Sequence, residues 1–297
     1  MDAVSLPQVV FTFLLNASFA CMVGTASARY WLRTAAAPWQ RPVNGLLDRG
    51  EGAAALLCML ATCGAVWAAA AVMAGVPLAE AVPAIPLMVS GTSVGQAACM
   101  GAMALALVIA FRLASRGTAR FGAAIAILLL VFAASRASVS HAGEHGLLSI
   151  DMAIELAHLV LIALWTGGVA VAAWVVLPRA GRRDAALHAY LDSLSTWAGV
   201  ALAGIVASGI YNSWQRLNAV AELADPGYGM TLTVKVALVA GAVLIGAYNK
   251  FAGFPGARSS SPMMDRVILL LRIESVLLFG ALLAAAMLTS QQPPAAQ

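Results

Sequence analysis

Long apolar runs, separated by short polar connections, make up nearly the whole chain. Most continue for roughly 20 residues, the length a helix needs to cross hydrocarbon. A bilayer offers no partner to a bare peptide group, so such runs predict membrane-spanning α-helices. Eight spans are predicted, at about 8–32, 52–75, 93–113, 120–137, 150–177, 190–213, 231–249 and 267–289. The expected fold is all-α: one integral membrane domain over residues 1–297, a bundle of eight transmembrane helices.

The polar connections orient the bundle. Arg29, Arg33, Arg41 and Arg49 flank the first connection, and Arg112, Arg116 and Arg120 the third. Arg179, Arg182 and Arg183 lie in the fifth, and Lys250, Arg258, Arg266 and Arg272 on the seventh. Fourteen of the 17 basic residues thus fall on alternate connections, against Arg136 and Arg216 on the others. The positive-inside rule makes that rich side cytoplasmic and puts both termini outside. The first run follows Asp2 with no basic stretch before it, and reads as a first span, not a cleaved signal peptide. The 76–92, 140–150 and 214–230 connections are then outer loops. The last holds Trp214, Asp225-Pro226-Gly227 and Tyr228, which suit an aromatic belt and a turn before the seventh span.

Composition agrees. The chain is 62% apolar and 10% charged, where soluble domains carry about 25% charged residues. The net charge of +4 does not indicate a nucleic-acid partner, because the basic residues lie in short loops where they set topology. The expected surroundings are membrane lipids. All four cysteines sit inside apolar runs, which argues against a disulfide framework.

Candidate chemistry concentrates between Ser140 and Pro178. A polar loop carries His141, Glu144 and His145, and the fifth span then carries Asp151, Glu155, His158 and Trp165. Spacings of 4, 3 and 7 put these four on one helix face. Ionisable groups facing lipid cost about 2.5–3.5 kcal/mol, so this face turns toward protein or water. Imidazole and carboxylate together bind metals, relay protons or ligate haem. Glu144, His145 and Asp151 read equally as a wet loop and helix start. By depth, Asn16, Gln96, Glu155, His158, Asn212 and Lys235 lie together in the outer half, suggesting one polar site opening outward. Lys235 is placed to pair with Glu155 or to snorkel. Glu274 is deeper and serves a proton or ion path or pairs with Arg272. Small residues four apart, Ala203/Ala207 and Gly204/Ser208, read as helix packing.

Sulfur forms a second pattern. Cys21-Met22, Cys58-Met59 and Cys99-Met100 occur once in each of the first three spans, with Cys63 and Met103 about a turn further on. All fall near mid-membrane. Cysteine and methionine are ordinary apolar fillers, and they are also soft ligands that suit Cu(I).

Several of these residues resemble one family. Ser140-His141-Ala142, then His158, Trp165-x-Gly167-Gly168, Ser208-Gly209, Tyr228-Gly229-x-x-Leu232-x-x-Lys235 and Asn249 follow in order. The sequence resembles the copper-resistance protein D (CopD) family of bacterial inner-membrane proteins, over about 138–289. The resemblance implies copper handling, usually uptake across the inner membrane, and a periplasmic copper-binding partner of the CopC type.

The expected function is therefore transport or delivery of a copper ion, Cu(I) or Cu(II), by a multi-pass protein that is not an enzyme. Copper would arrive at His141, Glu144 and His145, pass to Glu155 and His158, and move inward. No G-x-x-x-x-G-K-[ST] motif is present, so ATP would not drive it. The alternative is a membrane electron-transfer protein binding haem b or quinone. Haem b generally needs two facing axial ligands, and only His158 is clearly embedded.

Overall fold

The structure is a computed structural model that describes residues 5–34, 37–115, 121–140, 142–143, 146, 148–181, 184–216 and 226–290. Among these residues the regular structure is entirely helical. The helices are α1 (Ser5–Trp31), α2 (Gln40–Ala74), α3 (Ile85–Gly91), α4 (Ser93–Ser115), α5 (Gly122–Ala137), α6 (Ile150–Val171), α7 (Ala185–Arg216), α8 (Pro226–Tyr248), α9 (Phe254–Ala257) and α10 (Ser261–Ser290). Seven of them, all but α3, α5 and α9, are long and apolar enough to cross a membrane. α5 has 16 residues, about 24 Å of helix against hydrocarbon about 30 Å thick. By length and composition the structure supports seven of the eight expected spans. The residues before Ser5 and after Ser290 lie outside the described set, as do Arg116, Arg120, Arg182, Arg183 and Asp225.

Several helices outrun their apolar stretches. α2 begins at Gln40 instead of near 52, because buried Val43, Leu47 and Glu51 extend the inward face of Ala55 and Cys58 by two further turns. At 35 residues it is about 52 Å long, more than hydrocarbon requires. It ends at Gly75, whose left-handed φ of 66° lets its N–H reach the last-turn carbonyls. The 76–92 connection is structured, with two 3-10 turns before α3. α8 already begins at Pro226, where the sequence suggests a turn.

Two helices end in π turns, Ala172–Val176 after α6 and Asn249–Gly253 after α8. Each is followed within two residues by a proline, Pro178 and Pro255. Proline lacks an N–H and crowds the carbonyl four residues back, so the helix widens there. After α6 the released carbonyls of Trp174 and Val175 accept from Arg179 Nη1 at 3.0 and 3.1 Å.

α1 and α6 form the centre of the bundle. They cross at Gly24 and Gly167, where backbone lies against backbone and a Cβ on either residue would collide with the facing main chain. α2 packs on α1, α7 on α6, α4 on α5, and α10 on α8 and α1. One apolar cluster, around Phe19, Cys58, Leu105 and Phe132, joins α1, α2, α4 and α5. Another, around Trp31, Val169, Tyr190 and Leu271, joins α1, α6, α7 and α10. Val206 and Ile210 on α7, and Val234, Val236 and Leu244 on α8, face outward. An apolar rim of this kind suits lipid.

One end of the bundle is tied by charge. Glu51 is fully buried, with Arg112 Nη2 at 2.7 Å and Arg29 Nη2 at 3.2 Å from its Oε2. Arg29 also pairs with Asp48. Nearby, the Trp39 indole donates to Asp184, which accepts from the N–H of Ala186 at the start of α7. This is the end that carries the basic connections.

Candidate functional site

At the opposite end the bundle encloses a cavity of about 460 Å³. Asn16 on α1, Arg136 on α5, Glu155 and His158 on α6, and Lys235 on α8 all line it. The alternation of helix directions explains how this comes about: each residue lies in the half of its helix that points away from the basic connections. α6 starts there because Ser149 caps it, accepting from the N–H of Met152 at 3.1 Å.

His158 is oriented through α7. Its Nδ1 lies 2.8 Å from Ser208 Oγ. The single hydroxyl hydrogen of Ser208 goes to the carbonyl of Gly204, at 2.6 Å. With that hydrogen directed there, Ser208 is placed to accept from an Nδ1–H of His158. Metal-binding histidines are commonly oriented this way, by a hydrogen bond to the nitrogen that does not bind. Ser208 reads as a packing residue in the sequence, yet here it orients the His158 ring. Gly204 does serve packing, since a Cβ there would strike Leu161 of α6.

The carboxylates are held by the same helix. Asn212 donates its amide to Glu155 Oε2 at 3.0 Å, and Tyr211 donates its hydroxyl to Asp151 Oδ1 at 2.7 Å. Lys235 lines the cavity instead of only reaching for the surface.

The remaining expected site residues fall elsewhere. Gln96 is exposed on α4 and donates to the carbonyl of Ser90 at 3.3 Å. Trp165 is one to two turns deeper than His158, and its indole donates to Glu274 Oε1 at 3.1 Å. Arg272 does not pair with Glu274: its guanidinium covers the ring of Trp174, 4.7 Å from the centroid. His141, Glu144 and His145 lie outside the described residues.

The sulfur residues divide into two groups. Met22 and Cys58 are fully buried, and Cys21 and Met59 pack beside them in the α1–α2 cluster. Cys58 lies one turn below Thr62, a residue of the cavity wall. Cys63, Cys99, Met100 and Met103 are exposed on the outside of α2 and α4. The structure does not align the eight along one path. Among the described residues, no three His, Cys, Asp or Glu side chains stand close enough together to hold a metal ion.

The residue that sequence reading missed is Arg136. With Arg216 and Lys235 it is one of three basic residues off the basic side of the chain, and that exception is the signal that could have marked it.

These features define a multi-pass helical membrane protein with a polar cavity at one end. Residues 1–150 match the family model "Copper resistance protein D-like, N-terminal domain", and residues 188–288 match "Copper resistance protein D". The chain belongs to the copper resistance protein D family, and its role lies in copper resistance. No curated protein and no solved structure matches it.

Proposed function

We propose that the protein moves copper inward across the bacterial inner membrane, taking it up from the periplasm at the outer cavity. The observation that carries this reading is that His158, held by Ser208, and Glu155, held by Asn212, line one cavity wall. Copper is the cargo. Imidazole and carboxylate suit its arrival in either oxidation state, and the buried sulfurs Cys58 and Met22, just below, suit onward passage of Cu(I). A two-donor site fits transit, because conduction needs binding weak enough to leave. His141, Glu144 and His145 would collect the ion from a periplasmic copper-binding protein of the CopC type.

The charge alternation supports α5 as an eighth crossing. A basic connection precedes it, and its far end, at Ser135 and Arg136, reaches the outer cavity. Both termini are then periplasmic. A haem or quinone role has less support: His158 lies at the outer end of α6 and His188 at the inner end of α7. Among the described residues, therefore, no two histidines face each other across the bundle.

Copper-binding titrations of the purified protein test the site. Ser208→Ala should weaken copper binding roughly fivefold, the worth of about 1 kcal/mol for one hydrogen bond, and Ser208→Thr should restore it. Equal affinity in all three proteins would remove Ser208 from the site.

A further inference from the structure

A second cavity, of about 310 Å³, lies in the inner half of the bundle between α6, α7, α8 and α10. Its polar lining is Trp165, Ser195, Asn249, Lys250 and Glu274. Glu274 is 2% exposed and Asn249 1%. Trp165 satisfies Oε1 of Glu274. Oε2 of Glu274 and both amide atoms of Asn249 make no hydrogen bond of normal geometry, although the Asn249 side chain lies beside the Glu274 carboxyl. Buried polar atoms are seldom left so, and three together at one cavity call for something that completes them.

The donor set narrows the choice. Among the described residues, no histidine, cysteine or methionine lines this cavity, so they offer none of the soft ligands that copper favours. Lys250, exposed at the inner mouth, disfavours a metal cation. Its ammonium lies along α7, where a Cβ on Gly199 would stand 3.3 Å from Nζ. Among the described residues that line the cavity, the other packed elements bring no opposing charge. α6 presents the Trp165 indole, α7 presents Ser195, and α9 has no charged residue. Arg272 is turned onto Trp174, and Arg29 of α1 is taken up by Asp48 and Glu51.

We propose that Glu274 carries a proton on Oε2, with Asn249 as its hydrogen-bond partner in both states. Protonated, Oε2–H donates to Asn249 Oδ1. On release to water in the inner cavity the O–H bond breaks, the carboxylate gains one negative charge, and Asn249 donates through Nδ2 instead. An amide is suited to this exchange because it offers both a donor and an acceptor. The link to transport rests on the copper reading above. Trp165, which Glu274 holds, shares a face of α6 with Glu155 and His158, so a change of charge at Glu274 bears on the helix that receives the ion.

Infrared difference spectra of the purified, copper-free protein between acid and alkaline pH test this. Wild type should show a protonated-carboxyl stretch that E274Q lacks and that N249A shifts. Glutamine keeps an acceptor for Trp165, and N249A leaves the carboxyl in place should E274Q fold poorly. Identical spectra in the proteins that fold would overturn the proposal, as would a band displaced by sodium ions at constant pH. No copper is present, so failure here leaves the copper reading intact. Loss of the copper reading, in turn, leaves the infrared result standing.

Discussion

Glu51 shows how much one buried side chain can hold. It is fully buried, and two guanidinium groups from α1 and α4 converge on its Oε2. Glu51→Ala takes this carboxylate from Arg112 and leaves Arg29 with Asp48 alone of its two anions. The cost of breaking a buried pair in this way is about 3–5 kcal/mol. Thermal unfolding in detergent should therefore fall sharply for Glu51→Ala, and adding Arg112→Leu should recover part of the loss. An unchanged transition would show that the cluster is wet and contributes little. The same scale applies to sulfur. Cys58, buried beneath the outer cavity, should weaken copper-dependent growth when changed to serine, whereas Cys99 on the outer surface of α4 should not. Equal growth of both variants with wild type would remove sulfur from the path.

At the scale of elements, the crossing of α1 on α6 positions the site, since His158 and Asn16 reach one cavity only if these helices touch. Gly167 faces the backbone of Ala20, and Gly24 that of Gly167. Gly167→Val should destabilise the bundle by about 1–3 kcal/mol or more through overpacking. It should also lower copper binding, while Gly209→Ala, with open space around it, should do neither. Unaltered stability in Gly167→Val would contradict the crossing. This level also marks how far the sequence could be read. Apolar length located α1, α4, α6 and α10, and helical spacing put Glu155 and His158 on one face, from which both line the same cavity. Depth alone placed Gln96 in the same site, but depth carries no angle, and Gln96 lies on the outer face of α4. The first turns of α2 were not legible as a span, because they are polar and held by Val43, Leu47 and Glu51. The partnership of Ser208 with His158 was equally hidden: a small residue on α7 reads as packing until the facing helix is known.

For the molecule as a whole, two cavities lie toward opposite ends, and α6 lines both. Its stripe runs from Glu155 and His158 in the outer cavity to Trp165 at the inner one. Under the proposed copper reading the first cavity is the entrance, and the second holds the carboxylate of Glu274. That reading also implies an orientation. A reporter fused after Gln297 that is active only in the periplasm should be active, and silence from it would reverse the outer and inner assignments. The central claim, inward copper movement through His158, is tested most directly by cellular copper content. Mass spectrometry would compare cells producing wild type or His158→Ala at matched protein levels in copper-supplemented medium. The account predicts raised cellular copper with wild type and the level of cells lacking the protein with His158→Ala. Equal copper in the two producing strains would contradict it.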